Sequence, residues 1–311
     1  MPNWNKILTE VEASNQVNAL DRMRKEYFEI IHRETGRNVI SYYSGWLKQP
    51  TVHTMIDELD KNAFMSITHS LDKGMGLDII IHTPGGDLAV MENLINYLHK
   101  IFNGDIRVII PQIAMSAGTM IALFSKAILM GEQSCLGPVD PQYNGVACQA
   151  IIDEFEKAKE EIAENPNTIG LWQTLIAKYP GAKVIEPNTS DRVLINTAEI
   201  SEDSDENGNP VEDIDSTPDN DEDGEDDIDI EKIRDKFLNH KTTYSHARRL
   251  SKDDCKEVGL NIIDLEDFPS LNDAVLSLHS CYTIMIDKYS YSKIVENQNG
   301  ETYFYRDPCN N

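Results

Sequence analysis

Apolar and polar positions alternate along this chain in two rhythms, and each rhythm predicts an element. Leu20, Met23, Tyr27, Ile30 and Ile31 recur at three- and four-residue spacing within a charged stretch. That spacing predicts an amphipathic helix over 14–35, with Gly36 just past its end as a cap. Asn38 to Trp46 is rich in β-branched and aromatic residues and reads as a strand. A helix is predicted over 51–71. Residues 77–83 are apolar except for Asp78 and His82, as expected of a strand covered on both faces in a parallel sheet. After Pro84-Gly85-Gly86 the helical rhythm returns in Leu88, Met91, Leu94, Ile95, Leu98, Ile101 and Phe102, giving one buried stripe over 87–102. A strand over 107–110, a helix over 116–125 and a strand over 127–130 follow closely. Strand and helix alternating at such short intervals predict an α/β core with helical crossovers.

Farther on, 147–163 reads as a polar Glu/Lys helix with 171–179 as its companion. Helices are predicted over 230–246, over 251–258 with Ser251 as N-cap and Gly259 beyond its end, and over 271–289. Short strands are predicted over 260–263 and 293–295, and Asn-Gly turns close the tail.

Composition changes this picture in one place. From Glu199 to Glu231 there are seventeen Asp and Glu and no Lys or Arg. Such a segment cannot bury enough surface to offset chain entropy, so a disordered insertion is expected. Without it the formal charge falls from −25 to −8, an ordinary value. The expected organisation is one domain made of 1–190 and 230–311, with 1–35 as an N-terminal helical arm and 199–229 as the acidic insertion. No basic patch would track a phosphate backbone, so nucleic acid is not an expected partner.

Five scattered cysteines without a C-x-x-C pair argue for a reducing compartment. The first six residues hold no apolar signal region. Ile109 to Gly131 has the length of a membrane span, but Pro111, Gln112, Ser116, Thr119 and Lys126 interrupt it. A cytoplasmic setting without membrane association is therefore expected. Asp203-x-Asp205-x-Asn207-Gly208 and Asp219-x-Asp221-x-Asp223-Gly224 begin like calcium loops. Both carry isoleucine (Ile214, Ile230) at the twelfth position, where a bidentate Glu is needed. Neither a metal nor a cofactor is expected.

Two short segments carry the candidate chemistry. One is Ile79 to Gly86, an apolar run that stops at Pro-Gly-Gly. The other is Ala114-Met115-Ser116-Ala117-Gly118-Thr119-Met120, where a serine among small residues opens a helix. Glycine permits close backbone approach, and a helix N-terminus directs its dipole toward negative charge. Backbone N–H groups freed at the turn, together with a hydroxyl, are what acyl transfer requires. Singly, Pro-Gly-Gly is a turn and Ser116 a packing residue; their order and spacing carry the argument. His82, on the strand before the turn, is read as a core histidine rather than a base.

At these residues the chain resembles the serine dehydrogenase proteinase family, within the Clp-peptidase/crotonase superfamily. The matching pieces are Thr35-Gly36-Arg37, Tyr42-Tyr43-Ser44-Gly45-Trp46, His82 to Gly86, Ala114 to Leu123, Leu136-Gly137-Pro138-Val139-Asp140-Pro141-Gln142, Lys256-Glu257-Val258-Gly259-Leu260 and Lys293-Ile294-Val295-Glu296-Asn297. They span most of 20–145 and 230–300, and the acidic insertion is not part of the usual pattern. The resemblance implies an α/β fold with a ClpP/crotonase-like core of repeated strand-strand-helix units and helical crossovers. It also implies a serine peptidase acting on a peptide or protein substrate, and a homo-oligomer.

The same resemblance puts the nucleophile on Ser116 and the oxyanion donors on the backbone N–H of Gly85 or Gly86 and of Ala117. Clp-type peptidases take their base from a histidine soon after the serine, but no histidine lies between His99 and His240. Two solutions stay open. One is His246, in a segment resembling a Trp-Thr-His stretch of the family, with Asp140 orienting the imidazole. The other is Lys157 or Lys159, where the signal-peptide-peptidase branch carries its lysine; a buried lysine can act as a base, although both sit in a charged helical stretch. Two other functions fit the same fold. One is acyl-CoA chemistry of the crotonase type, against which the serine at 116 argues. The other is a non-catalytic oligomeric scaffold that works through its acidic loop, which the missing local histidine favours.

Overall fold

The computed structural model describes residues 4–14, 19–48, 50–139, 142–143, 146–177, 230–237 and 249–306. Its elements in chain order are α1 (Trp4–Ser14), α2 (Ala19–Thr35), β1 (Asn38–Ser44), α3 (Glu58–His69), β2 (Leu77–His82), α4 (Leu88–Ile101), β3 (Ile106–Ile110), β4 (Ile113–Ala114), α5 (Ala117–Leu123), β5 (Ala127–Met130) and β6 (Cys135–Leu136). They continue with β7 (Gln142–Tyr143), β8 (Val146–Ala147), α6 (Cys148–Glu164), α7 (Ile169–Ile176), α8 (Ile230–Phe237), β9 (Leu250–Ser251), α9 (Lys252–Glu257), β10 (Ile262–Asp264), α10 (Pro269–Tyr289), β11 (Tyr291–Asn297) and β12 (Thr302–Arg306). They divide into two compact units, Met1–Asp140 with Asp227–Asn311, and Pro141–Asp226.

The first unit is built on a seven-stranded sheet in the order β10-β5-β3-β2-β1-β11-β12. The five strands from β10 to β1 run parallel, and β11 and β12 add an antiparallel edge. Successive side chains of a strand point to opposite faces. Ile79 and Ile81 of β2 accordingly join one apolar layer with α3, α4 and α5, and Ile80 joins the other with α2 and α10. With both faces covered, β2 reads as an unbroken apolar run. Asp78, which interrupts that run, is fully buried between two arginines, Arg37 at 2.7 Å and Arg107 at 2.6 Å. Burial of the charge is tolerated because both of its oxygens are paired.

Several boundaries differ from the sequence expectation. The stretch 51–71 is not one helix: Val52–Thr54 forms a 3-10 turn, and α3 starts only at Glu58. The reason is Asp57, whose side chain accepts the Leu59 N–H and forms a reciprocal capping box with Asp60. β12 was not expected. It folds back on β11 through Asn299 and Gly300, the latter at φ 82°. Of the helix expected over 230–246, residues 238–246 lie outside the described residues, as do the acidic insertion and both calcium-like loops up to Asp229.

In the second unit, β7 and β8 form a short antiparallel pair, followed by α6 and α7. Phe155 and Ala158 of α6 are buried with Trp172 of α7, whose indole N–H donates to Glu161 Oε2 at 3.0 Å. Among the described residues no helix is long and apolar enough to cross a membrane, and no cluster of three or more His, Cys, Asp or Glu is arranged to hold a metal.

Candidate active site

Two neighbouring exits from the sheet are laced together by backbone hydrogen bonds. Thr83, just past β2, accepts from the Met115 N–H at 3.0 Å and donates its own N–H to Ile113 O at 3.3 Å. The lacing brings the glycine turn beside Ser116. A methyl group on Gly85 (φ 97°) would stand 2.7 Å from Ser116 Cβ and 2.9 Å from the Ala117 nitrogen, so nothing larger than hydrogen fits. Gly86 is crowded from the other side, where an added Cβ would lie 2.3 Å from the Ile56 nitrogen. Ile56 clamps this turn at both ends: its N–H donates to Gly85 O at 2.8 Å, and its carbonyl accepts the Asp87 N–H at 3.0 Å.

The amides around the turn are not equivalent. The Gly85 N–H donates to Thr83 Oγ1 at 3.2 Å. Among the described residues, neither the Gly86 N–H nor the Ala117 N–H donates to any group. Of the two glycine amides considered from sequence, Gly86 is therefore the one with a free donor.

Ser116 stands at the N-cap of α5 with φ 50° and ψ −121°. A residue with a Cβ pays about 1–3 kcal/mol to hold such a conformation. The residue is half-buried, and its side chain does not cap the helix. The conformation is over-determined by its surroundings. The Ser116 N–H donates to Pro138 O at 3.2 Å, and Thr119 Oγ1 donates to Ala114 O at 3.0 Å and to Gly137 O at 2.8 Å. The Leu136-Gly137-Pro138 motif thus supplies carbonyls that hold the serine turn. Nucleophile turns in other folds place a serine on a similarly strained strand-to-helix turn.

The base candidates divide differently. His246 and Asp140 lie outside the described residues. Lys157 is 66% exposed and paired with Glu161 at 3.8 Å, and Lys159 is exposed on the same helix, α6. Neither has the desolvated setting that a lysine base requires. His82 is a buried core residue, its ring nitrogens 3.3 Å from Ser44 O and 3.1 Å from the Gln112 amide. The ring stacks on Tyr43 and lies beside His279, ring centres 5.4 Å apart.

Burial pushes His82 down to about 4 and His279 to about 3, the latter also through its histidine neighbour. Both rings stay neutral in the folded protein, whereas an unfolded chain takes up these protons near pH 6.5. The stability present above pH 6.5 is therefore lost as pH falls toward 4. Urea unfolding should become easier between pH ~7 and pH ~5, by up to about 1.4 kcal/mol per pH unit per histidine. In His82→Gln/His279→Gln the slope should flatten, and an unchanged slope would discount these two rings.

Sequence reasoning did not single out Ile56, Thr83 or Thr119. The two threonines sit inside the quoted motifs and could have been found there. Ile56 clamps the turn through main-chain atoms, which leave no mark in side-chain chemistry.

A model of the ClpP-like SDH-type serine proteinases matches residues 11–203. Two uncharacterized proteins of Methanocaldococcus jannaschii are similar to the chain. One is 34% identical over 118 residues, 38% of this chain and 41% of that protein. The other is 32% identical over 113 residues, 36% of this chain and 38% of that protein. The chain thus spans about two fifths of the length of these curated relatives. No solved structure matches it.

Proposed function

The chain belongs to the ClpP-like SDH-type serine proteinase family, and on that premise we propose that it hydrolyses peptide bonds through an acyl-enzyme on Ser116. The observation that carries this reading is a positive-φ serine whose hydroxyl does not cap its helix, set against a glycine turn, with the Gly86 and Ala117 amides lacking acceptors among the described residues. Ser116 Oγ attacks the carbonyl carbon of a peptide or protein substrate, and the carbonyl oxygen takes up negative charge. The Gly86 and Ala117 N–H groups receive that charge. Such donors, fixed before reaction, are worth about 10²–10³ in rate each. The proton from Oγ passes to the base and on to the leaving amine, and water then releases the acyl group by the same steps in reverse. His246, oriented by Asp140, is the base; the exposure of Lys157 and Lys159 argues against either lysine in that role. The working form is a homo-oligomer and needs no cofactor.

A fluorophosphonate probe tests this directly. It should label the wild-type protein on Ser116 and leave Ser116→Ala unlabelled. His246→Gln should slow labelling by about 10²-fold or more, the usual scale of general-base loss, while Lys157→Ala and Lys159→Ala should not. If the wild type resists labelling at every pH tried, the protein is a non-catalytic member of its family.

A further inference from the structure

β11 carries a lysine, Lys293, that is only 1% exposed. An ammonium at such depth is costly unless its protons are all bonded. Three acceptors take them: Met55 O at 3.0 Å, Asp57 Oδ2 at 2.9 Å and Asp60 Oδ2 at 2.9 Å. The ring of Tyr305 lies 4.9 Å away, and the Tyr42 hydroxyl donates to the same Asp60 oxygen at 3.0 Å. The buried carboxylate oxygen is thus shared by a cation, a phenol and the Asp57 N–H, the last at 2.9 Å. With its protons committed, Lys293 is placed as a tether rather than as a proton acceptor.

What it tethers is informative. Met55 and Asp57 flank Ile56, and Ile56 is the clamp across Gly85, Gly86 and Asp87. The ammonium therefore grips the chain on both sides of the residue that clamps Gly85 and Asp87. Stability alone gives little reason for this arrangement, since replacing a buried ion pair by hydrocarbon of similar volume is often neutral or stabilising. An ion cluster does, however, accept only one geometry, whereas packed hydrocarbon tolerates small shifts. Displacement of a catalytic group by about 1 Å can cost about 10²-fold in rate.

The geometry points to Lys293 as a positioning residue of the oxyanion site, which holds Ile56 through Met55 O and Asp57 and, through Ile56, aims the Gly86 amide. This inference rests on the reading of Ser116 and the Gly86 amide as acyl-transfer machinery. It also gives a role to the Lys293-Ile294-Val295 motif, which otherwise has none.

The test compares the full chain with Lys293→Met/Asp60→Asn, which removes one charge of each sign, and with the milder Asp57→Asn, which keeps the helix cap. Two readouts are needed. Amide hydrogen exchange follows the Ile56 and Asp87 N–H groups against those of β2 and β3. Activity is followed as the fluorophosphonate labelling rate and, on a fluorogenic peptide, as kcat and KM separately. The expected result is exchange at Ile56 and Asp87 faster by about tenfold or more, with the β2 and β3 amides unchanged. Labelling and kcat should fall by about 10²-fold, the scale of one lost oxyanion donor, with KM within about twofold. Asp57→Asn should shift the same quantities in the same direction by less, and it decides the matter if the double variant does not fold. Unchanged exchange and labelling in a folded variant would overturn the inference. So would acceleration of all amides together, which marks a merely structural role. If the wild-type protein is itself unlabelled, the peptidase reading fails, and local exchange at Ile56 and Asp87 still decides whether Lys293 braces the turn.

Discussion

Ser116→Gly is expected to raise the melting temperature of the protein while abolishing its labelling by a fluorophosphonate. The serine holds φ 50° and ψ −121°, a conformation with a steric penalty for any residue bearing a Cβ. Glycine lifts that penalty of about 1–3 kcal/mol but adds about 0.4–1 kcal/mol of unfolded-state entropy. The net gain is roughly 1 kcal/mol, a rise of about 2 °C for a chain of this size. Ser116→Ala removes the hydroxyl and keeps the Cβ, so it should lose labelling without the thermal gain. Scanning calorimetry of the three proteins separates the cases. If the glycine variant melts no higher than the alanine variant, the turn stores no strain. A gain would be the usual exchange of stability for function at a reactive residue.

Arg24→Met should cost about 3–5 kcal/mol in urea unfolding, because it strands a carboxylate in the core. Arg24 of α2 and Glu296 of β11 pair at 2.8 Å, with both side chains nearly inaccessible to solvent. Tyr282 of α10 adds a hydroxyl that donates to the same Glu296 oxygen at 2.7 Å. With the guanidinium gone, Glu296 keeps the phenol and loses its counter-charge. Arg24→Met/Glu296→Leu removes both charges and should recover most of the loss, to within about 1–2 kcal/mol of wild type. Tyr282 retains the Ser41 hydroxyl as a partner in that variant. If the double variant is as unstable as the single one, packing of the Arg24 stem rather than charge accounts for the effect.

The sheet was legible because its pattern is local. Residues 77–81 lack alternation because α3 and α4 cover one face of β2 and α2 and α10 the other, and the buried run announces this directly. The pairing of the glycine turn with the serine turn was legible for a different reason: each lies at the exit of a strand, and neighbouring parallel strands bring their exits together. What stayed hidden was long-range or confined to the backbone. Ile56 clamps the turn with main-chain atoms, which any residue type provides. Lys293 reads as an ordinary strand lysine until Asp57 and Asp60 are placed beside it. β12 was missed because Tyr303 and Phe304 are 40% and 43% exposed on adjacent positions, so no alternation marks an inner face. The base could not be read from spacing, since no histidine lies between His99 and His240.

The sheet order carries a consequence for biosynthesis. β1 lies between β2 and β11, and Lys293 is 238 positions after the Met55 carbonyl that it holds. Contacts this distant in the chain form late, because loop closure must be paid for before they contribute. A ribosome that has already released Ser116 and both glycines has not yet made the strand that tightens the turn around them. The nascent polypeptide therefore carries Ser116 and the glycine turn before it carries Lys293, and the ionic tether waits for residues 291–297. If Ser116 is the nucleophile, its surroundings reach their final geometry only after residues 291–297 have been made and folded onto β1.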